Sequence, residues 1–215
     1  MTMTKQKADK KTKRMQWLLS KVTAKKSKAA KERFVATSRG GIRVLEYGFE
    51  SEDVAPLFID LHGGGWSLFC PAQDDKINRA IHKQTGVKIA SIDYPKAPQN
   101  PYPAAVEAVY EVVKYYSDNA EKYKIDPANI GIGGYSAGGN LSAAISIMAN
   151  EKKEFTLKSQ TGFGIDGTED TRLSDFENVR GEFTSNKAVT DILEHIEKKT
   201  KSAEKVTNKL MNLNL

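Results

Sequence analysis

Cysteine occurs once in this sequence, at Cys70, so no internal disulfide can form, and Cys70 has no Cys or His partners at metal-ligand spacing. Neither a metal nor a cofactor is expected, and a lone thiol fits a reducing compartment. Long apolar runs are missing too. Nothing approaches the roughly 20 apolar residues that a transmembrane helix needs. The stretch Met15-Gln16-Trp17-Leu18-Leu19 follows a basic start but is too short for the apolar part of a secretion signal. A cytoplasmic protein with no transmembrane segment is the expectation. There is no G-x-x-x-x-G-K-[ST] phosphate loop and no internal repeat.

What is present begins with charge. The net charge is +6, but residues 1–33 hold twelve Lys/Arg against Asp9 and Glu32, while the other 182 residues hold 21 basic and 25 acidic residues. A basic arm thus precedes a mildly acidic body. Such an arm can meet an anionic surface, nucleic acid or membrane, or it can be a solvated, partly helical extension. The second reading is preferred, and no nucleic-acid partner is expected. At 215 residues the chain can bury roughly 70% of its unfolded surface.

Within the arm, Met15, Leu18, Leu19 and Val22 recur at helical spacing, a stripe suited to docking on the body or covering a site. Strands and helices then alternate. Residues 42–48, 56–61, 87–93 and 129–134 read as strands, with one more over 155–165. Residues 74–84, 104–123 and 137–150 read as helices. The expected fold is α/β, a mostly parallel sheet with helices on both faces. After Ile165 no buried strand is legible: 166–183 is charged and turn-rich, and 186–215 reads as a Lys/Glu helix. The expected organisation is a basic arm (1–40), an α/β core (41–165) and a charged helical segment (166–215).

The strongest motif is Gly134-Tyr135-Ser136-Ala137-Gly138, a G-x-S-x-G sequence between a predicted strand and a predicted helix. Such a turn presents a nucleophilic serine at a helix N-terminus, where peptide dipoles favour developing negative charge. Read from Gly131 as a dinucleotide loop, G-x-G-x-x-G would need glycine where Ser136 stands, so that reading is weak. The second motif is His62-Gly63-Gly64-Gly65-Trp66, directly after a strand. Successive glycines can aim backbone N–H groups at one point, as a tetrahedral oxyanion requires.

With the segments HGGGW (62–66), DYPKAPQNPYPAA (93–105) and DPANIGIGGYSAGGNLSAA (126–144), the sequence resembles the hormone-sensitive-lipase-like carboxylesterases of the α/β-hydrolase fold, over roughly residues 45–165. The resemblance implies Ser136 as nucleophile and Gly64, Gly65 and Ala137 as oxyanion donors, with Gly63 nearby. It implies a loop-bracing role for His62 and a small-molecule ester as substrate.

The same resemblance calls for an acid and then a histidine downstream of the serine, each after a later strand. His62 and His82 precede Ser136; only His195 follows it, on the flank of a charged helix, and is a weak candidate base. Asp166, Glu169, Asp170 and Asp191 are acids by order alone. The triad acid and base are therefore unknown, and the chain reads as C-terminally truncated, lacking the fold's last strands. A sheet ending early would leave an edge through which copies of the chain could pair. Three readings stand: a crippled serine esterase, a non-catalytic relative that binds an ester or acyl ligand, and an interaction protein acting through its basic arm.

Overall fold

The computed structural model of the chain describes residues 5–22 and 28–163. Helix α1 (Lys5–Val22) comes first. Two strands, β1 (Lys31–Thr37) and β2 (Gly40–Tyr47), form a hairpin. The repeating part follows as β3 (Ala55–Leu61), α2 (Asp75–Thr85), β4 (Lys88–Ile92), α3 (Ala104–Asp118), β5 (Ile125–Tyr135), α4 (Ala137–Lys152) and β6 (Ser159–Phe163).

The strands make one sheet in the order β1-β2-β4-β3-β5-β6. β4, β3, β5 and β6 pair in parallel, and the hairpin is added antiparallel through β2. Period-2 alternation sorts the strand residues onto two faces. Leu57, Ile59 and Leu61 join Ala90, Ile92, Ile130 and Ile132 in the larger core. Onto it pack Ala108, Val109, Val112, Val113 and Tyr116, the apolar stripe of α3, and Leu141, Ile145 and Ala149 of α4. Their neighbours in sequence, Leu45, Phe58 and Ile89, fall in a second cluster with Tyr47 and Ile81 of α2. Each fully buried aliphatic side chain stabilises this arrangement by about 1.5–3 kcal/mol. The sheet is mostly parallel with helices on both faces, as the alternation of elements implies.

The structure departs from the sequence reading at several places. Strand β1 lies inside the segment read as a basic arm. Only Val35 of its seven residues is fully buried, so it carries little apolar signal, and Arg33 is held by the buried Glu46 of β2 at 2.5 Å. Helix α3 stops at Asp118 instead of running to Tyr123, because the chain closes into turns at Asn119 and Ala120. Strand β5 starts at Ile125, four residues early. In α1, Met15 and Leu19 are half-buried but Leu18 is 48% exposed, so the stripe is narrower than its spacing suggested. The predicted helix over 186–215 lies outside the described residues. Among those described, no helix is long and apolar enough to cross a membrane.

Candidate active site

Ser136 sits where β5 ends and α4 begins. Its backbone is at φ 54°, ψ −122°, and its carbonyl accepts the N–H of Asn140 at 3.0 Å in the first turn of α4. A residue with a Cβ held in such a region costs about 1–3 kcal/mol. The flanking glycines let the turn close against β3. A Cβ on Gly134 would lie 2.1 Å from the Leu61 carbonyl oxygen, and one on Gly138 would lie 1.9 Å from the same atom. Both contacts are with backbone, which has nowhere to go. The serine is half-buried at the N-terminus of a helix of 16 residues, the end that favours anions.

The glycine loop is brought to this turn by strand pairing. Leu61, the last residue of β3, is in register with Gly134 of β5, so His62–Gly65 and Tyr135–Ser136 leave the sheet side by side. Gly64 and Gly65 both have positive φ, 124° and 59°, and Trp66 follows at 55°. The Gly64 carbonyl accepts the N–H groups of Ser67 (3.1 Å) and Leu68 (2.9 Å), which folds the loop back on itself. Gly63 lies against the Tyr135 ring, where a Cβ would meet Cε2 at 2.4 Å. Burial, then Asp74 and Asp60, hold the Tyr135 phenol well above its usual range, opposed by a hydrogen bond with the Gly63 backbone.

His62 is fully buried. Its Nδ1 donates to the Gly63 carbonyl at 2.7 Å, and its ring stacks on Tyr94 with centroids 4.3 Å apart. Because a carbonyl can only accept, Nδ1 carries a proton. Burial first, then the nearby Lys96 charge, push the His62 imidazolium down to about 3. Tyr94 also donates its hydroxyl to the His62 carbonyl at 2.8 Å. Through Tyr94 and through Ala97, whose N–H bonds the Trp66 carbonyl at 2.9 Å, the proline-rich segment 93–105 is tied to the glycine loop. On the α2 side, Asp60 accepts Asn78 Nδ2 (2.8 Å) and Ser91 Oγ (2.5 Å), fixing the end of β3 just before His62. Burial nevertheless raises the Asp60 carboxyl above its ordinary value.

His82 has no place here. Its Nδ1 meets the Val87 carbonyl at 3.0 Å, and its ring fills the space beside Gly48. Val87 precedes β4, at the end of the parallel strands opposite Ser136; five residues at ~3.3 Å put about 16 Å between the two ends. His195, Asp166, Glu169, Asp170 and Asp191 lie outside the described residues. Three residues that pack or bond at the site went unmarked in the sequence reading: Tyr94, Tyr135 and Gln16. Tyr94 and Tyr135 stand inside the quoted motifs, but nothing in their spacing marks a stacking role. Gln16 of α1 donates to the Ser67 and Ala97 carbonyls at 2.7 and 2.8 Å and accepts from Gln99 at 2.8 Å.

A family profile described as the α/β hydrolase fold matches residues 58–211, past residue 165, where the resemblance read from the motifs ends. The carboxylic ester hydrolase LipN of Mycobacterium tuberculosis is 34% identical over 117 residues, covering 54% of this chain and 31% of that protein. The acetyl esterase of Salmonella typhi is 34% identical over 118 residues, 55% of this chain and 36% of that protein. Among solved structures, the esterase of Pyrobaculum calidifontis superimposes with a TM-score of 0.59 at 30% identity, over 74% of this chain and 52% of that chain. A thermostable carboxylesterase cloned from a metagenomic library gives 0.60 at 28%, over 74% and 54%. The chain spans about a third of the length of these curated relatives. On the profile match, the order of strands and the turn at Ser136, the chain belongs to the α/β-hydrolase fold family.

Proposed function

We propose that this chain carries the nucleophile half of a carboxylic-ester hydrolase, with Ser136 as nucleophile. The observation that carries the reading is the strained backbone of Ser136, kept at a strand–helix junction against a glycine loop. A residue type with a Cβ is not needed for such a turn, and glycine would fit it without steric strain. Holding a serine there makes sense if the hydroxyl has a use.

In the proposed reaction Ser136 Oγ attacks the carbonyl carbon of a small ester, its proton passes to a base, and the carbonyl oxygen becomes an oxyanion. The N–H groups of Gly64, Gly65 and Ala137 are the proposed donors to that oxygen, and such donors are worth on the order of 3–4 kcal/mol each. Gly63 contributes mainly through its contact with Tyr135. Collapse of the intermediate expels the alcohol, which takes up the proton, and water then releases the acid from Ser136.

The base is the unfilled role. His62 is buried, neutral and committed to the Gly63 carbonyl, so it braces the loop. His82 belongs to the far end of the strands. His195 is the remaining histidine, and the assignments of base and acid stay open. A serine without an oriented base keeps about 10³–10⁴-fold over water and loses on the order of 10⁶ in turnover. The 215-residue chain should therefore hydrolyse a short-chain nitrophenyl ester only slightly faster than buffer. The oxyanion donors and binding supply that small excess without the serine, so Ser136→Ala should keep it. An acyl-enzyme is what needs Ser136: the nitrophenyl ester should slowly leave its acyl group on Ser136, seen by mass spectrometry. A Ser136 that never carries the acyl group would favour the second reading, a fold that binds an ester or acyl ligand without turning it over.

A further inference from the structure

Helix α1 has an inner and an outer face of different chemistry. At 100° per residue, Ala8, Thr12, Met15, Gln16 and Leu19 share one side, and all five are half-buried. Gln16, one of its two polar members, fixes that side to the segment after the glycine loop and to the proline-rich segment through the carbonyls of Ser67 and Ala97. The opposite side is an arc of about 160°. It carries Lys7, Lys10, Lys11, Lys13 and Arg14, every one exposed. Within the same arc, at the end of the helix nearest the loops, Trp17 is 57% exposed and Leu18 48% exposed.

We propose that the outer face of α1 binds an anionic lipid surface. Seven basic side chains against Asp9 give the helix a strong positive field, and anionic headgroups are its complement. The first turn holds Lys5 and Lys7 and no acidic residue. Those cations oppose the helix dipole, and an anion brought close to them relieves the conflict. Charge alone fits nucleic acid as well. Trp17 and Leu18 decide between the two: a tryptophan and a leucine side by side on the cationic arc enter the boundary between headgroups and acyl chains, as in helices that lie in a membrane interface. A phosphodiester backbone offers Leu18 nothing. A purely solvated helix has no use for Leu18 on its outer face.

The Gln16 contacts put the inner side of α1 on the backbone at Ser67 and Ala97, so the membrane-bound protein would hold those loops one helix diameter, roughly 10 Å, from the lipid. Binding itself does not depend on any chemistry at Ser136.

Co-sedimentation of the full chain with vesicles tests the proposal. Vesicles of phosphatidylcholine with equimolar phosphatidylglycerol should capture the protein at low salt and release it as salt rises, and vesicles of phosphatidylcholine alone should not. Each cation removed from the arc lowers the partition about fivefold, so Lys10→Glu with Lys13→Glu should reduce it more than tenfold. In Trp66→Phe, which leaves Trp17 as the only tryptophan, emission should shift to the blue on adding the mixed vesicles. Ser136→Ala should bind as the parent protein does. Since all the altered arc residues are exposed, an unchanged urea midpoint identifies variants that still fold. Equal capture by both vesicle types, or by neither, overturns the proposal. So does salt-sensitive capture of duplex DNA or RNA that survives Trp17→Ser and Leu18→Ser while vesicles stay unbound; that result would assign the face to nucleic acid.

Discussion

Ser136 keeps a positive φ at 54°, and a glycine in its place would be relieved of about 1–3 kcal/mol of strain. Glycine loses about 0.5–1 kcal/mol of that through its freer unfolded chain. Ser136→Gly should therefore raise the stability measured by urea unfolding by about 1 kcal/mol, while Ser136→Ala leaves it nearly unchanged. A loss of stability in Ser136→Gly would mean that the turn is held by the side chain and not in spite of it. His62 gives a second residue-scale expectation. Its folded pKa, about 3, lies below the 6.5 of an unperturbed imidazole. The unfolded chain therefore takes up a proton first as the pH falls. Stability from the neutral, buried ring is complete above about 6.5 and drains away down to about 3, by up to roughly 1.4 kcal/mol per pH unit. His62→Gln should flatten the slope of unfolding free energy against pH between 6 and 4, whatever it does to the absolute stability. At this scale the sequence announced Ser136 and the glycine loop, because the roles proposed for them, a nucleophile turn and an oxyanion loop, need particular residues at fixed spacing. It did not announce Tyr94 or Tyr135, whose contributions come from contacts across the site: stacking on His62, and packing on Gly63.

The elements hold the site through backbone packing, and two glycines separate close approach from conformation. Gly138, in the first turn of α4, has the Leu61 carbonyl where its Cβ would be, at 1.9 Å. Gly138→Ala must push α4 away from β3 and should cost about 3 kcal/mol. Gly86 ends α2 with φ 72°, its N–H bonded to the His82 carbonyl at 2.8 Å, and nothing stands within 4 Å of a Cβ there. Gly86→Ala pays only for its backbone conformation, about 1 kcal/mol. Urea midpoints should fall in that order. Equal losses would show that the β3–α4 contact is softer than its distances indicate. The elements that the sequence made legible are those with two-sided burial or a clear helical stripe, such as β3, β4 and α3. Strand β1 escaped because its sequence KERFVAT turns one side to solvent, with Phe34 66% exposed and Val35 the lone buried residue. Its place in the sheet comes from pairing with β2 and from the Arg33–Glu46 ion pair, which no local pattern encodes.

Taken whole, the molecule joins a basic helix to a mildly acidic α/β-hydrolase sheet whose candidate site stands at the carboxyl ends of the parallel strands. Charge separation along the chain was legible by counting. The contact between helix and body was not, since the bonds of Gln16 to two loop carbonyls and to Gln99 follow no pattern in the sequence. The site itself was legible as far as the serine and the glycine loop. Its acid and base were not, since only His195 follows the serine and neither His62 nor His82 can act as the base. The account turns on this division: a serine held ready, and no base among the described residues to activate it. The direct measurement is the rate at which an organophosphonate probe labels the purified chain, with the modified residue identified by mass spectrometry in the parent protein and in His195→Ala. The account predicts slow, substoichiometric labelling on Ser136, at the same rate in both proteins. Rapid, stoichiometric labelling of Ser136 that disappears in His195→Ala would contradict it.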